Sequence, residues 1–400
     1  MNLFRNISDV DTEKYVIATY EVTTSASLRD AAWNIAIGQS VGNPNVRNEW
    51  ETEELFENHS CIIIGCESEL AAAKSGKVVI GFPTINTNWV SDGVSHLLCQ
   101  LMGGHVDIDI IQRCRLVDLV IPEYIQDYGY FRGPMYGITG IRRFTGQYDK
   151  PILGGIVKPK IGVSPEVLLD MVKQMVDGGV DFIKEDEIMS NPACCPLLNR
   201  VDLISNYLAN QSRKVIFCHT INCDPGTLTN RVNLVYKAGA NGVHINVWSG
   251  LGSYNSIRQM DLPLFLHFQK SGDRVFTSKS NNYSISWPVI CQLATMMGVD
   301  TIQTGMIGGY SNDDPEELSR SLKILRARNT LPVLSCGMHP GLVNKVTSMV
   351  GNDYMANVGG AIHGHPYGSR GGAVAMRSAI DGDYNNEEYK QAIQKWGLVN

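Results

Sequence analysis

The sequence has no apolar run approaching the ~18 residues that a membrane-crossing helix needs, and Met1 to Ser8 carries no hydrophobic signal core. A soluble, cytoplasmic protein is the expectation. A basic excess is missing as well. Lysine and arginine number 34 against 40 acids, a net charge of −6, which excludes the positive face of a nucleic-acid binder. The 10 cysteines include no CxxC spacing, and the one adjacent pair, Cys194-Cys195, is too close for an ordinary disulfide. Reduced thiols are the simpler account. What is present is 44% apolar residues with only 18% charged, enough for a barrel plus an extra domain or for two or three domains.

Before Asp149 the pattern is mixed. Tyr15 to Thr23 alternates as a strand, Ser27 caps a helix reaching Ile37, Cys61 to Ile64 and Lys77 to Phe82 are strand-like, and Gly93 to Met102 has helical spacing. Asp118 to Ile121 and the glycine-rich Phe131 to Gly140 read as a connection. Residues 1–148 are therefore expected to form a small N-terminal α+β domain with an antiparallel sheet.

Residues 149–400 alternate regularly between strand and helix. The strand candidates are Ile152 to Lys160, Asp181 to Glu187, Val215 to Asn222, Val243 to Trp248, Leu264 to Phe268, Thr301 to Met306, Val333 to Gly337 and Tyr354 to Gly360. Helices open on capping sequences such as Ser164-Pro165-Glu166 and Asp314-Pro315. Eight such units predict a closed (β/α)8 barrel with a C-terminal helix, a doubly wound open sheet being the other topology this alternation allows.

The chemistry concentrates in Gly178-Gly179-Val180-Asp181-Phe182-Ile183-Lys184-Glu185-Asp186-Glu187. A short apolar strand delivers a lysine and two adjacent carboxylates at its C-terminal end, where barrel active sites lie. Asp186 and Glu187 are hard oxygen ligands suited to Mg2+. A neutral Lys184 amine that took up CO2 would become a carbamate, a third anionic oxygen ligand. A salt-bridged surface turn is the plain alternative. The other strand ends should converge on the same mouth with Lys158, Lys160, His267, Gln269, Lys270, Gln303, Thr304, Ser335, Gly337, Gly359 and Gly360. Glycines ending the last two strands expose backbone N–H groups, as phosphate sites of barrels do. Each of these is a weak sign alone: Gly359-Gly360 also suits a tight turn, Ser335 a cap, and His267 a hydrogen-bonded structural histidine.

Three segments, Gly155-Ile156-Val157-Lys158-Pro159-Lys160-Ile161-Gly162, the Gly178 to Glu187 stretch and Gly364-His365-Pro366, resemble in order and spacing the large subunit of ribulose bisphosphate carboxylase. The resemblance covers most of the chain and implies a TIM barrel behind an N-terminal α+β domain, in a homodimer with sites shared between subunits. It implies Lys184 as the carbamylated lysine, and Asp186 and Glu187 as Mg2+ ligands. Lys158 is then the proton-transfer residue, with Lys160 and His267 beside it. Lys270, Ser335, Gly337, Gly359 and Gly360 match the region that binds substrate hydroxyl and phosphate.

The departures shape the functional expectation. Where a carboxylase has histidine and arginine on the fifth strand, this chain has Gln269 and Lys270; the sixth-strand histidine is Gln303. The loop lysine that grips the carboxylate formed from CO2 is Tyr310, which removes a full charge from the transition state. Gly38 and Gly104 stand where a glutamate and an asparagine of the N-terminal domain are expected. The chain is thus similar to the carboxylase-like, form IV, members, which keep the enolate chemistry and drop CO2 fixation. Two reactions fit: decarboxylation of a phosphorylated 3-oxo sugar acid of the 3-oxo-isoapionate 4-phosphate type, and enolisation of 2,3-diketo-5-methylthiopentyl-1-phosphate in methionine salvage. Lys158-Pro159-Lys160 and Phe276-Thr277 favour the first. Ile35 to Gly42 and His339-Pro340-Gly341 resemble the second. A non-catalytic relative that binds a phosphorylated metabolite is the reading from another class.

Overall fold

The computed structural model describes residues 2–126, 131–310 and 313–399. It divides into two compact units, Met1–Arg132 with Gly272–Met296, and Gly133–Ser271 with Met297–Asn400. The first unit therefore draws on sequence from both sides of residue 149.

The first unit is built on a six-stranded sheet of β1 (Phe4–Arg5), β2 (Tyr15–Thr24), β3 (Ile62–Ile64), β4 (Ser75–Pro83), β5 (Ile111–Val120) and, from the later segment, β11 (Tyr283–Ile285), ordered β1-β3-β4-β2-β5-β11. The pairs β3–β4, β4–β2 and β2–β5 are antiparallel, as expected, but β1–β3 and β5–β11 are parallel. The helix Leu28–Gly38 starts where Ser27 accepts a hydrogen bond from the Asp30 N–H. The sequence reading of Asp118 to Ile121 as connection is corrected here. Asp118 to Val120 are the last residues of the ten-residue strand β5. Its charges hid it, because Arg115 is 1% exposed and yet hydrogen-bonded, its Nη1 donating to the Thr277 carbonyl and to Ser284 Oγ.

The second unit is the closed parallel barrel. Its strands are β6 (Ile152–Ile156), β7 (Phe182–Lys184), β8 (Ile216–Thr220), β9 (Gly242–Asn246), β10 (Phe265–Gln269), β12 (Thr301–Gly305), β13 (Leu331–Leu334) and β14 (Met355–Val358), which follow one another round the ring and close between β14 and β6. All eight expected strands are present, and the open sheet is excluded. Ser164 and Asp314 cap their helices through backbone N–H groups, with Pro165 and Pro315 in the first turn.

The N-terminal mouth of the barrel is sealed. Ile152, Phe182, Ile216, Phe265, Leu331 and Met355, each at the start of its strand, form one apolar cluster with Ile141 of the helix Gly137–Thr145. Tyr136 stacks on Phe265 with ring centroids 4.1 Å apart. The polar residues are left to the opposite, C-terminal mouth.

Candidate active site

Strand β7 ends on Lys184, and the chain runs straight on through Glu185, Asp186 and Glu187. Lys184 is 1% exposed and Asp186 2%. Lys184 Nζ lies 3.6 Å from Glu187 Oε2 and donates to the Glu185 carbonyl at 3.0 Å. From β6, Lys158 Nζ reaches Asp186 Oδ2 at 2.7 Å, and Lys160 Nζ lies 3.8 Å from the same oxygen. The Lys158-Pro159 peptide is cis. Burial pulls the Lys184 amine below its ordinary pKa, and the carboxylates of Glu187 and Asp186 only partly offset this. Glu187 is held below the usual carboxylate range: burial would raise it, but Lys184 and the Ser271 hydroxyl outweigh that. Ser271 Oγ donates to Glu187 Oε1 at 2.6 Å.

A rigid polar layer supports this stretch. Glu185 is fully buried, with Arg200 donating to both of its oxygens at 2.7 and 2.9 Å, His219 Nδ1 at 2.9 Å and the Thr220 N–H at 2.8 Å. Burial alone would raise its carboxyl, yet Arg200 and His219 hold it at about 2. Thr220 Oγ1 donates to the Asp186 carbonyl and Asn222 Nδ2 to that of Glu187. The backbone that carries the two outward-facing carboxylates is thereby fixed.

These groups line one cavity of about 430 Å³. It collects Lys158, Lys160, Lys184, Asp186 and Glu187 together with Gln269, Gln303, Ser335, Gly337, Gly359 and Gly360, with Tyr310 also on the lining. Gly337 has φ +107°, and a Cβ there would stand 3.0 Å from Gly309 Cα and from the Tyr310 nitrogen, so the backbone turns here only as glycine. A Cβ on Gly359 would press to 3.3 Å of Lys158 Cε.

Three expected residues are not brought in: His267, Lys270 and Thr304 are absent from the lining. His267 is fully buried, its Nδ1 2.8 Å from Thr301 Oγ1 and its ring against Phe182 and His244. Burial, helped by Lys184, pushes it down to about 3. Its strand runs on to Gln269, so His267 sits one inward-facing layer below the mouth. Lys270 turns away to Asp313 Oδ1 at 3.0 Å and to the Thr304 carbonyl at 3.2 Å. Thr304 Oγ1 donates to the Ile302 carbonyl. The Gly364-His365-Pro366 motif also has a packing part: the Tyr367 N–H donates to His365 Nδ1, so Nε2 carries the proton given to the Glu388 carbonyl of the C-terminal helix Glu387–Trp396.

Sequence reading passed over Asn357, Ser271 and Trp396, which also line the cavity, as does His339 of the His339-Pro340-Gly341 segment. Asn357 was findable, since it lies on the eighth strand two residues before Gly359. Ser271 and Trp396 arrive from a loop and the last helix, with no local signal.

The donor set fits a hard divalent cation. Asp186 Oδ1 is buried without a partner, the kind of orphan a cation satisfies. Among the described residues no group of three His, Cys, Asp or Glu is assembled for a metal, so two carboxylates need a further oxygen, and Lys184 is the side chain beside them.

A family model described as ribulose bisphosphate carboxylase large chain, catalytic domain, matches residues 137–328 and 318–396. The ribulose bisphosphate carboxylase of Pyrococcus furiosus is 28% identical over 417 residues, covering 97% of this chain and 95% of its own. A 2,3-diketo-5-methylthiopentyl-1-phosphate enolase of Microcystis aeruginosa is 29% identical over 403 residues, covering 96% and 100%. Among solved structures, the octameric ribulose-1,5-bisphosphate carboxylase/oxygenase of Pyrococcus horikoshii superposes with a TM-score of 0.90 at 25% identity, over 100% of this chain and 97% of that one. A rubisco-like protein of Alicyclobacillus acidocaldarius gives 0.84 at 25%, over 96% and 100%. With its sealed barrel, its lysine and carboxylate cluster at the open mouth and a family match over well more than half its length, this chain belongs to the ribulose bisphosphate carboxylase large-chain family.

Proposed function

We propose that this chain is a Mg2+-dependent enzyme that works through an enediolate on a phosphorylated keto compound, decarboxylating a 3-oxo sugar-acid phosphate of the 3-oxo-isoapionate 4-phosphate type rather than fixing CO2. One observation carries the reading: a buried Lys184 amine of lowered basicity lines the same cavity as Asp186, Glu187 and Lys158. Desolvation favours the neutral amine, the form that takes up CO2 as a carbamate. That carbamate, Asp186 and Glu187 would hold Mg2+, which when bound supplies Lewis-acid stabilisation of the enolate oxygen.

The chain's own groups do the rest. Lys158 projects its ammonium at the dyad and returns a proton to the enolate carbon once a β-keto carboxylate has left as CO2. Ser335 and the backbone at Gly337, Gly359 and Gly360 hold the phosphate, which fixes the reacting carbon. Lys160, beside the same carboxylate as Lys158, adds positive potential for the enolate that develops as CO2 leaves. Tyr310 on the lining offers no cation to a carboxylate newly formed from CO2, which supports loss over fixation.

Enolisation of 2,3-diketo-5-methylthiopentyl-1-phosphate is the second reading, favoured by the name of the Microcystis relative. Deprotonation of a ketone reaches the same enolate and needs the same residues. A homodimer is the proposed assembly; a related archaeal structure from Hyperthermus butylicus is described as dimeric.

The test is incubation with Mg2+ and bicarbonate, then assay against phosphorylated keto acids and diketones in deuterated water. Release of CO2 identifies the decarboxylase; deuterium uptake without gas identifies the enolase. Activity should rise after the preincubation and vanish in Lys184→Ala. Ligand binding indifferent to both treatments, with no turnover, would leave a non-catalytic binder of a phosphorylated metabolite.

A further inference from the structure

The cavity is chemically divided. Its lysines, Lys158, Lys160 and Lys184, all engage Asp186 or Glu187. The wall from β10 and β12 instead presents two amides, Gln269 and Gln303, each more than nine-tenths buried. Gln269 Oε1 and Gln303 Oε1 are buried without a partner. The other amide ends are anchored, Gln303 Nε2 on Ser335 Oγ and Gln269 Nε2 on Ser271 Oγ at 3.3 Å, which leaves the two glutamine oxygens as the unpaired acceptors of these lining residues. His339, also on the lining, has a buried, unpartnered Nδ1, and burial lowers its basicity, so it is neutral near pH 7. Lys270, which follows Gln269, is held by Asp313.

Buried acceptors left open are costly unless a ligand fills them. Hydroxyl groups donate to amide oxygens; a second phosphate would meet carbonyl dipoles and no cation, and an alkyl or thioether tail would leave every orphan unpaired. We propose that this amide wall binds the uncharged, hydroxylated end of a substrate whose single phosphate lies at the glycine-lined end. This selects a polyol monophosphate over a bisphosphate and over an apolar tail. The inference rests on the enolate reading for the site's orientation and deepens it by naming the substrate class.

Calorimetric titration of the wild-type protein with ribulose 5-phosphate, ribulose 1,5-bisphosphate and 2-oxopentyl phosphate tests it. Ribulose 5-phosphate should bind at least roughly 10-fold more tightly than either of the others. In Gln269→Met the preference over 2-oxopentyl phosphate should vanish while inorganic phosphate binds as before; Gln303→Met, which also frees the Ser335 hydroxyl, should lose the same preference and carries the comparison if Gln269→Met does not fold. Equal or tighter binding of the bisphosphate or of the alkyl probe, or no binding of ribulose 5-phosphate, overturns the proposal. Binding is read without turnover. Absence of CO2 release and deuterium uptake alongside an intact preference would therefore defeat the enolate chemistry and leave the recognition standing.

Discussion

Lys158 Nζ lies 2.7 Å from Asp186 Oδ2, so the proposed proton carrier is ion-paired to the proposed metal ligand. Cation and ammonium then compete for one carboxylate. Lys158→Met should raise Mg2+ affinity several-fold while turnover falls by about 10²- to 10⁴-fold. Metal titration and steady-state kinetics on the same preparation check the pair of effects, and a loss of metal affinity alongside turnover would defeat the competition argument.

Ser271 supports the other carboxylate from outside. Its hydroxyl orients Glu187 at 2.6 Å, and groups in that position commonly change metal affinity by roughly 10- to 100-fold. Ser271→Ala should weaken Mg2+ binding by about 10-fold with little change in the unfolding midpoint. Unchanged metal affinity would show that Glu187 needs no such support.

Arg200 and Glu185 form a fully buried pair beneath the site. Arg200→Met leaves a carboxylate sealed in the barrel with only His219, the Thr220 N–H and no fixed cation. The expected cost is about 3–5 kcal/mol of stability, read from denaturant melts. A loss below ~1 kcal/mol would mean that water reaches Glu185.

His105, in the N-terminal unit, is 1% exposed with both ring nitrogens unpartnered, and burial drops its pKa to about 4. The unfolded chain binds its proton near pH 6.5. Unfolding is therefore favoured as pH falls through this window: the contribution is complete above about pH 6.5 and is lost progressively toward about pH 4, on the order of 3 kcal/mol in all. Melts of wild type and His105→Phe at pH 7.5 and 4.5 check this; a slope that persists in the variant refutes the assignment.

The barrel was legible because each unit repeats the same local grammar, a strand, a capped helix, a glycine turn. The N-terminal sheet was less so. Strand β5 carries Arg113, Arg115 and Asp118 where a buried strand should be apolar, and residues more than 160 positions away supply acceptors for Arg115. Composition cannot announce a partner that distant.

What the amino-acid order determined alone is the cradle: Lys184, Asp186 and Glu187 are tied together by covalent proximity at one strand end, and parallel neighbours oblige Lys158 to join them. Only the folded barrel decided the amide wall. A strand that ends one residue later than expected, at Gln269 instead of Phe268, leaves His267 in the interior and raises Gln269 to the mouth, because side chains alternate and each pair of residues advances about 6.6 Å. A carboxylate 43 positions later in the chain then draws Lys270 aside, and the surface facing the substrate becomes neutral amide instead of cation.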